Sequence, residues 1–136
     1  SMDTTKTDMN QAVLEGVIFG LRDSFEVAKS LGLDIKRTKA CGGGAKSSLW
    51  LRMIANIMNV TVEVLEHEEG PALGGAMLAA VACGEYPDVV AAGAAIVKVK
   101  ETVLPEPELV AKYEARYQAF KSIYPAMKPV FDLIKE

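Results

Sequence analysis

The chain has 136 residues, of which 50% are hydrophobic and 24% charged, a balance typical of one globular domain with its own core. A net charge of −3 without any basic run argues against nucleic acid or an anionic membrane surface as a partner. No segment is long and apolar enough for a transmembrane helix and no signal peptide is visible, so the sequence predicts a cytoplasmic location.

The first segment with a clear pattern is a long helix. Residues 1–8 are polar and are predicted to be a disordered start, with Ser1-Met2 interpreted as a cloning scar. From about Met9 to Leu31 apolar residues recur at helical spacing. Gly16 and Gly20 lie four residues apart inside this helix, where glycine is unfavourable, so we expect another element to approach closely there.

A glycine-rich stretch at residues 41–48, here called the glycine turn, connects a predicted strand, Ile35 to Cys41, with a predicted helix, Leu49 to Met58. Glycines are useful where the backbone must turn sharply or lie against something close. Ser47 or Ser48 can cap the helix, whose free N–H groups suit an anion or the polar edge of a ligand.

Two familiar phosphate-binding patterns fail at the glycine turn. The P-loop pattern needs Gly directly before Lys-Ser, whereas Ala45 precedes Lys46 here. The dinucleotide fingerprint read from Gly42 and Gly44 has Ser47 at its third site, where Gly or Ala is needed. From the glycines alone, a purely structural tight turn remains an alternative.

The following elements continue an α/β pattern. Val60 to Leu65 predicts a second strand, which should be parallel to the first because a helix connects them. Small apolar residues predict a fully buried helix from Ala72 to about Cys83, backing the glycine turn. The last predictions are a short helix from Asp88, a weak extended segment at residues 97–104 and a long amphipathic helix at residues 106–134 with an aromatic stripe, kinked or split at Pro125.

The two cysteines, Cys41 and Cys83, lie in apolar segments and are predicted to be buried free thiols. A single histidine and the lack of any ligand spacing predict that the chain holds no metal.

Three blocks in this order and spacing resemble the C-terminal domain of the FGGY carbohydrate kinases: residues 12–19, 42–50 and 68–80. The resemblance covers the chain from about Gln11 onwards. It implies part of a ribonuclease-H-like α/β domain of the actin/hexokinase ATPase type, helix-rich with a small parallel strand pair. Residues 9–136 would then be the C-terminal portion of the nucleotide-binding domain.

The resemblance also implies a function and a site. The parent protein would be an ATP-dependent, xylulokinase-like kinase that phosphorylates a sugar hydroxyl. Gly43, Gly44 and Ala45 would let the backbone lie against the purine and ribose of ATP or ADP, and Ser48 would face the adenine edge. A larger side chain at position 44 or 45 should clash with the base, and Lys46 is expected to be exposed to solvent.

Much of the machinery is expected outside this chain. The resemblance places the catalytic base, most of the Mg²⁺ and phosphate contacts and the sugar pocket elsewhere, largely in a missing N-terminal domain. None of the aspartates here falls in a matching catalytic motif, so the chain should be inactive alone and prone to self-association. His67 is interpreted as a loop residue. Glu69 is interpreted as a carboxylate that favours the helix dipole, and ordering of the glycine turn through its backbone N–H groups is the alternative.

The chain departs from the family pattern at three positions. Gln11 stands where relatives often have Arg, and Arg52 and Asn56 where they often have Gln and Asp, which leaves the sugar specificity open. Two other functions remain alternatives: a non-catalytic helical interaction module with a structural glycine turn, and another actin-type ATPase without sugar activity.

Overall fold

The computed structural model describes residues 2–66 and 70–134, so His67, Glu69 and the start at Ser1 lie outside the described residues. The elements alternate between helices and short strands, with one 3-10 turn inside the glycine turn. In chain order they are α1 (Lys6–Ser30), β1 (Arg37–Ala40), the 3-10 turn (Gly43–Lys46), α2 (Ser48–Met58), β2 (Thr61–Leu65), α3 (Gly70–Ala82), α4 (Val89–Ile96), β3 (Val99–Val103) and α5 (Pro107–Leu133).

The sheet has the order β1-β2-β3 among the described residues. β1 and β2 are parallel, with Arg37 opposite Thr61, which confirms the predicted strand–helix–strand unit. β3 pairs antiparallel with β2, so the extended segment predicted at residues 97–104 adds a third strand to the predicted parallel pair. Four of the five β3 residues are exposed, so few of them need to be apolar, and the strand pattern of this segment is weak in the sequence.

The core lies between the sheet and the helices α1, α2 and α5. α2 is central, because it packs against both other helices and contributes more buried side chains than either. On the core side of α2 the side chains of Met53, Ile57 and Met58 are buried, whereas Leu49 is exposed. The buried hydrophobic cluster is Ile18, Phe19, Leu51, Met53, Ala55, Ile57, Met58, Val60, Val62, Val64, Tyr113 and Tyr117.

α1 begins earlier than the sequence pattern predicts. Thr5 caps the helix, its hydroxyl accepting from the backbone N–H of Asp8 at 3.2 Å, while the Asp8 carboxylate accepts from the Thr5 N–H at 2.9 Å. This capping box satisfies backbone donors that would otherwise be free, and residues 6–8 are therefore helical and not part of a disordered start.

One face of α1 is open. Val13, Val17 and Leu21 are exposed, and a Cβ at Gly16 or Gly20 would meet nothing within 4 Å. The expected close approach of another element at these glycines is therefore absent within the described residues.

α3 is not the buried helix that its composition predicts. None of its described residues is buried, and it packs mainly against α4. Both cysteines, one following β1 and one following α3, are exposed, so their predicted burial is also wrong. Small apolar residues allow a helix to pack closely, but they do not determine whether the element it packs against belongs to this chain.

α5 is one helix through Pro125 and Pro129, so the predicted split does not occur. Its stripe enters the core only in its first half, where Tyr113 and Tyr117 are buried. From residue 121 onwards every described side chain of α5 is exposed, because nothing in the described chain covers that half.

Candidate functional site

The glycine turn has a backbone that requires glycine at its first position. Gly42 has φ +80° and ψ −172°, a conformation that side-chain-bearing residues rarely adopt. The following 3-10 turn is closed by the N–H of Ala45, which donates to the Gly42 carbonyl at 3.0 Å. Ser47 then caps α2, its hydroxyl accepting from the N–H of Trp50 at 3.3 Å, which resolves the choice between the two serines.

Gly44 is favoured by a contact within the chain. A Cβ at this position would lie 3.0 Å from Nε1 and 3.1 Å from Cδ1 of the Trp50 indole, which is too close without rearrangement. Trp50 therefore covers one side of the turn. A Cβ at Gly43, like one at Gly42, would meet nothing within 4 Å, so this side of the turn leaves room for something outside the chain.

A cavity of about 290 Å³ lies beside the turn, at the carboxyl ends of the parallel strands β1 and β2. In open α/β sheets this edge is where ligands bind. Its polar wall includes Lys46, Glu66, Lys100 and Glu101, and Ala45 lines it from the turn. Lys46 is exposed, as expected.

Two further openings border the same turn. An apolar groove of about 320 Å³ runs between α1 and β1, lined by Leu21 and Phe25 on one side and by Gly44 and Trp50 on the other. A third opening, about 380 Å³, lies between the start of α2 and β3 and includes Ser48 in its wall.

The four predicted site residues are thus neighbours along the turn but do not converge on one of these three cavities. Ala45 borders the first cavity and the groove, Gly44 borders the groove, and Ser48 borders the third opening. Gly43 lines none of the three, although the space beside it is open.

The start of α5 is fixed to α2 by Arg52 and Asn56, two positions at which the resemblance implies a departure. Arg52 donates from Nη2 to Oε1 of Glu106 at 2.8 Å, and the Glu106 N–H donates to Oδ1 of the buried Asn56 at 2.7 Å. The hydrogen bond from Arg52, followed by that from Asn56, lowers the pKa of the Glu106 carboxyl. Glu106 and Arg52 also line the third opening, a role the sequence did not indicate because the two residues lie 54 positions apart.

Gln11, the third departure, donates from Nε2 to the buried Glu15 carboxylate at 2.9 Å. Arg116 of α5 donates to the same oxygen of Glu15 at 2.6 Å. Gln11 therefore belongs to a polar contact between α1 and α5, away from the glycine turn.

With the fold and the geometry of the turn established, comparison with known proteins identifies the family. Residues 1–83 match the model of the FGGY family of carbohydrate kinases, C-terminal domain. The chain belongs to this family.

Among similar proteins, the xylulose kinase of Staphylococcus epidermidis (strain RP62A) is 38% identical over 91% of this chain and 25% of that protein. The ribulokinase of Mycolicibacterium smegmatis is 33% identical over 91% of this chain and 22% of that protein. The crystal structure of xylulose kinase from Rhodospirillum rubrum superposes with a TM-score of 0.85 at 27% identity, covering 97% of this chain and 27% of that one. The chain therefore spans about a quarter of the length of these relatives.

Within the described ranges, no three His, Cys, Asp or Glu side chains come together in a way that could hold a metal ion. Among the same residues, no helix has the length and apolar character needed to cross a membrane.

Proposed function

We propose that this chain, over residues 9–136, is the nucleotide-binding portion of an ATP-dependent sugar kinase and supplies the turn that holds the adenosine part of ATP or ADP. The observation that carries the proposal is the glycine turn itself, which has open space beside Gly43 and which lines, through Ala45, a polar cavity at the carboxyl edge of β1 and β2. Family membership supports the same assignment. The sugar substrate is a pentulose such as xylulose, in keeping with the names of the relatives.

Each side of the turn has a distinct role in this proposal. Trp50 and the close contact at Gly44 hold the turn rigid from within. The open side at Gly43 and Ala45 lets the ligand approach the backbone closely, and Ser48 offers a hydroxyl at the start of α2.

The remaining chemistry belongs to the rest of the parent protein. Phosphoryl transfer needs a base at the sugar hydroxyl together with cations that neutralise the phosphates. The described residues provide no carboxylate cluster that fits Mg²⁺, so no step through this ion is assigned to them. The chain alone is expected to bind nucleotide weakly and to lack kinase activity.

The test is a titration of ATP and ADP into the folded chain, followed by calorimetry and by fluorescence of Trp50, the only tryptophan in the sequence. Gly43→Val should abolish saturable binding while leaving the melting temperature nearly unchanged, because its side chain points into open space. Gly44→Val is the contrasting variant, and it should lower the melting temperature because the new side chain collides with Trp50.

Unchanged affinity in Gly43→Val would contradict the proposed position of the ligand. A folded chain that binds neither nucleotide would favour the alternative of a structural turn in a non-catalytic module. For that outcome the contact between Gly44 and Trp50 already supplies a physical reason for a glycine.

We also propose that the isolated chain associates with a second copy of itself. β1 lies at the edge of the sheet, and the apolar groove beside it continues into the exposed α1 residues. An open strand edge next to an apolar surface favours strand pairing between copies. In the parent protein, the same surface would contact the missing N-terminal portion.

A further inference from the structure

The pairing of β2 with β3 contains an irregularity beside the cavity at the glycine turn. Val64 lies opposite Glu101, whereas the next residue, Leu65, lies opposite Val99. Lys100 is therefore the extra residue of a β-bulge. Regular alternation would point Lys100 and Glu101 to opposite faces of the sheet, but at the bulge both line the same cavity.

The backbone around the bulge is held in place, whereas the Lys100 side chain is not. The N–H of Glu66 donates to the carbonyl of Lys98 at 3.0 Å, which continues the β2–β3 pairing beyond the bulge. Within residues 2–66 and 70–134, the Lys100 ammonium makes no hydrogen bond or ion pair. Bulges often redirect a side chain next to a functional site, and here the redirected group is a cation that has no partner among the residues the structure describes.

The charges in the cavity wall indicate which part of a ligand this cation meets. Among the described residues of the wall, Lys46 and Lys100 contribute two positive charges, and Glu66 and Glu101 contribute two negative ones. Because the two pairs offset one another, the wall does not concentrate positive potential as a polyphosphate site would. The wall offers hydrogen-bond donors and acceptors around a cavity whose charges offset one another. Such a cavity suits an uncharged polar group of a ligand that carries acceptor atoms.

We propose that Lys100 is a specificity-determining residue of the nucleotide site, donating from its ammonium to an acceptor atom of the nucleoside part of the ligand. This inference rests on the proposed function. β1 and β3 flank β2, so the glycine turn after β1 and Lys100 on β3 approach the ligand from opposite sides.

The experiment compares Lys100→Met with Lys98→Met, which removes the same charge two residues earlier, outside the cavity wall. Adenosine, ADP and ATP are titrated separately into each folded variant. Lys100→Met should weaken binding of all three by a similar factor, about tenfold to a hundredfold, as expected for the loss of a hydrogen bond from a charged donor. Lys98→Met should bind as the unsubstituted chain does, and Lys100→Arg should recover part of the loss.

Three outcomes would overturn the inference. Equal affinity of Lys100→Met and the unsubstituted chain would show that Lys100 does not contact the ligand, while leaving the proposed function intact. A loss that grows from adenosine to ADP to ATP would show that the ammonium meets phosphates and not the nucleoside. Failure of the unsubstituted chain to bind any of the three would overturn the proposed function as well, and Gly43→Val would then have no effect to measure.

Discussion

At the scale of single residues, Tyr117 is a polar side chain of the core that is both buried and hydrogen-bonded. It is 2% exposed, and its hydroxyl donates to Oδ1 of Asp23 at 2.6 Å, joining α5 to α1. The ring packs on Phe19 and lies 4.1 Å from the guanidinium carbon of Arg22. Burial, followed by the neighbouring carboxylate of Asp23, raises the pKa of the Tyr117 hydroxyl.

Tyr117→Phe should lower the free energy of unfolding by about 1.5–3 kcal/mol, the usual contribution of a hydrogen bond to a charged group. The ring contacts survive in this variant, so the loss belongs to the hydroxyl. The measurement is urea unfolding at neutral pH. Tyr124→Phe is the control, because Tyr124 is 65% exposed, and its effect should stay within about 0.5 kcal/mol.

The raised pKa also gives this comparison a pH dependence of known sign. A tyrosine ionises near pH 10 in the unfolded chain, and later than that in the folded one. The stabilisation is therefore complete below about pH 10 and is lost as the pH rises further. The gap in unfolding free energy between the unsubstituted chain and Tyr117→Phe should narrow above pH 10, whereas a constant gap would contradict the pKa shift.

At the scale of elements, α1 shows what a sequence pattern can and cannot predict. Its helical spacing is visible in the sequence, and the helix is present. The pattern does not distinguish Ile18 and Phe19, which are buried, from Val13 and Val17, which are exposed, because all four are apolar. Which of them enters the core depends on how much of the surrounding protein belongs to the chain.

The open glycines of α1 lead to a stability prediction. Gly16→Ala and Gly20→Ala should each raise the free energy of unfolding by roughly 0.5–1 kcal/mol, because alanine favours a helix and the added Cβ meets nothing within 4 Å. Thermal unfolding of the isolated chain measures this as a rise of a few degrees.

Gly42→Ala provides the contrasting control. At φ +80° a side chain is strained, so this variant should lose about 1–3 kcal/mol. Destabilisation by Gly16→Ala or Gly20→Ala would instead mean that the α1 glycines are already packed against something in the isolated chain, such as a second copy.

At the scale of the whole molecule, the order of elements and the parallel β1–β2 pair could be predicted, since a helix between two strands determines their direction. The candidate site could be predicted only in part. Residues 42–48 are adjacent in sequence and carry their own turn signals, whereas Lys100, Arg52 and Glu106 reach the turn only through the fold. The bulge at Lys100 depends on strand register, which the sequence of β3 alone does not specify.

Besides strand register, the exposure of apolar side chains is a property that the sequence of this chain alone does not predict. α3 has the composition of a buried helix, and the second half of α5 continues an aromatic stripe, yet both are exposed here. The chain spans about a quarter of the length of its relatives, so surfaces suited to contacts in a longer protein are open. The predicted self-association follows from one such surface, the α1 face beside the β1 edge.

The isolated chain should therefore show a mass that rises with concentration in sedimentation velocity. Val17 and Leu21, on the α1 face beside the groove, are 52% and 47% exposed. Replacing both with Lys should weaken association at least about tenfold, because charges on an apolar contact surface must be desolvated when copies meet. The control is Val90→Lys on α4, which alters an 82% exposed apolar residue away from this face.

The α1 double variant and the α4 variant together distinguish association through a specific surface from unspecific association. Equal weakening by the α1 and α4 substitutions would indicate unspecific apolar contacts, and a monomer at every concentration would contradict self-association. If only the α1 variant loses the ability to associate, the contact lies on the α1 face beside the edge of β1, next to the groove that Gly44 and Trp50 line. Nucleotide titrations of the chain would then have to be made on the dispersed variant, because a second copy seated there would lie against the glycine turn.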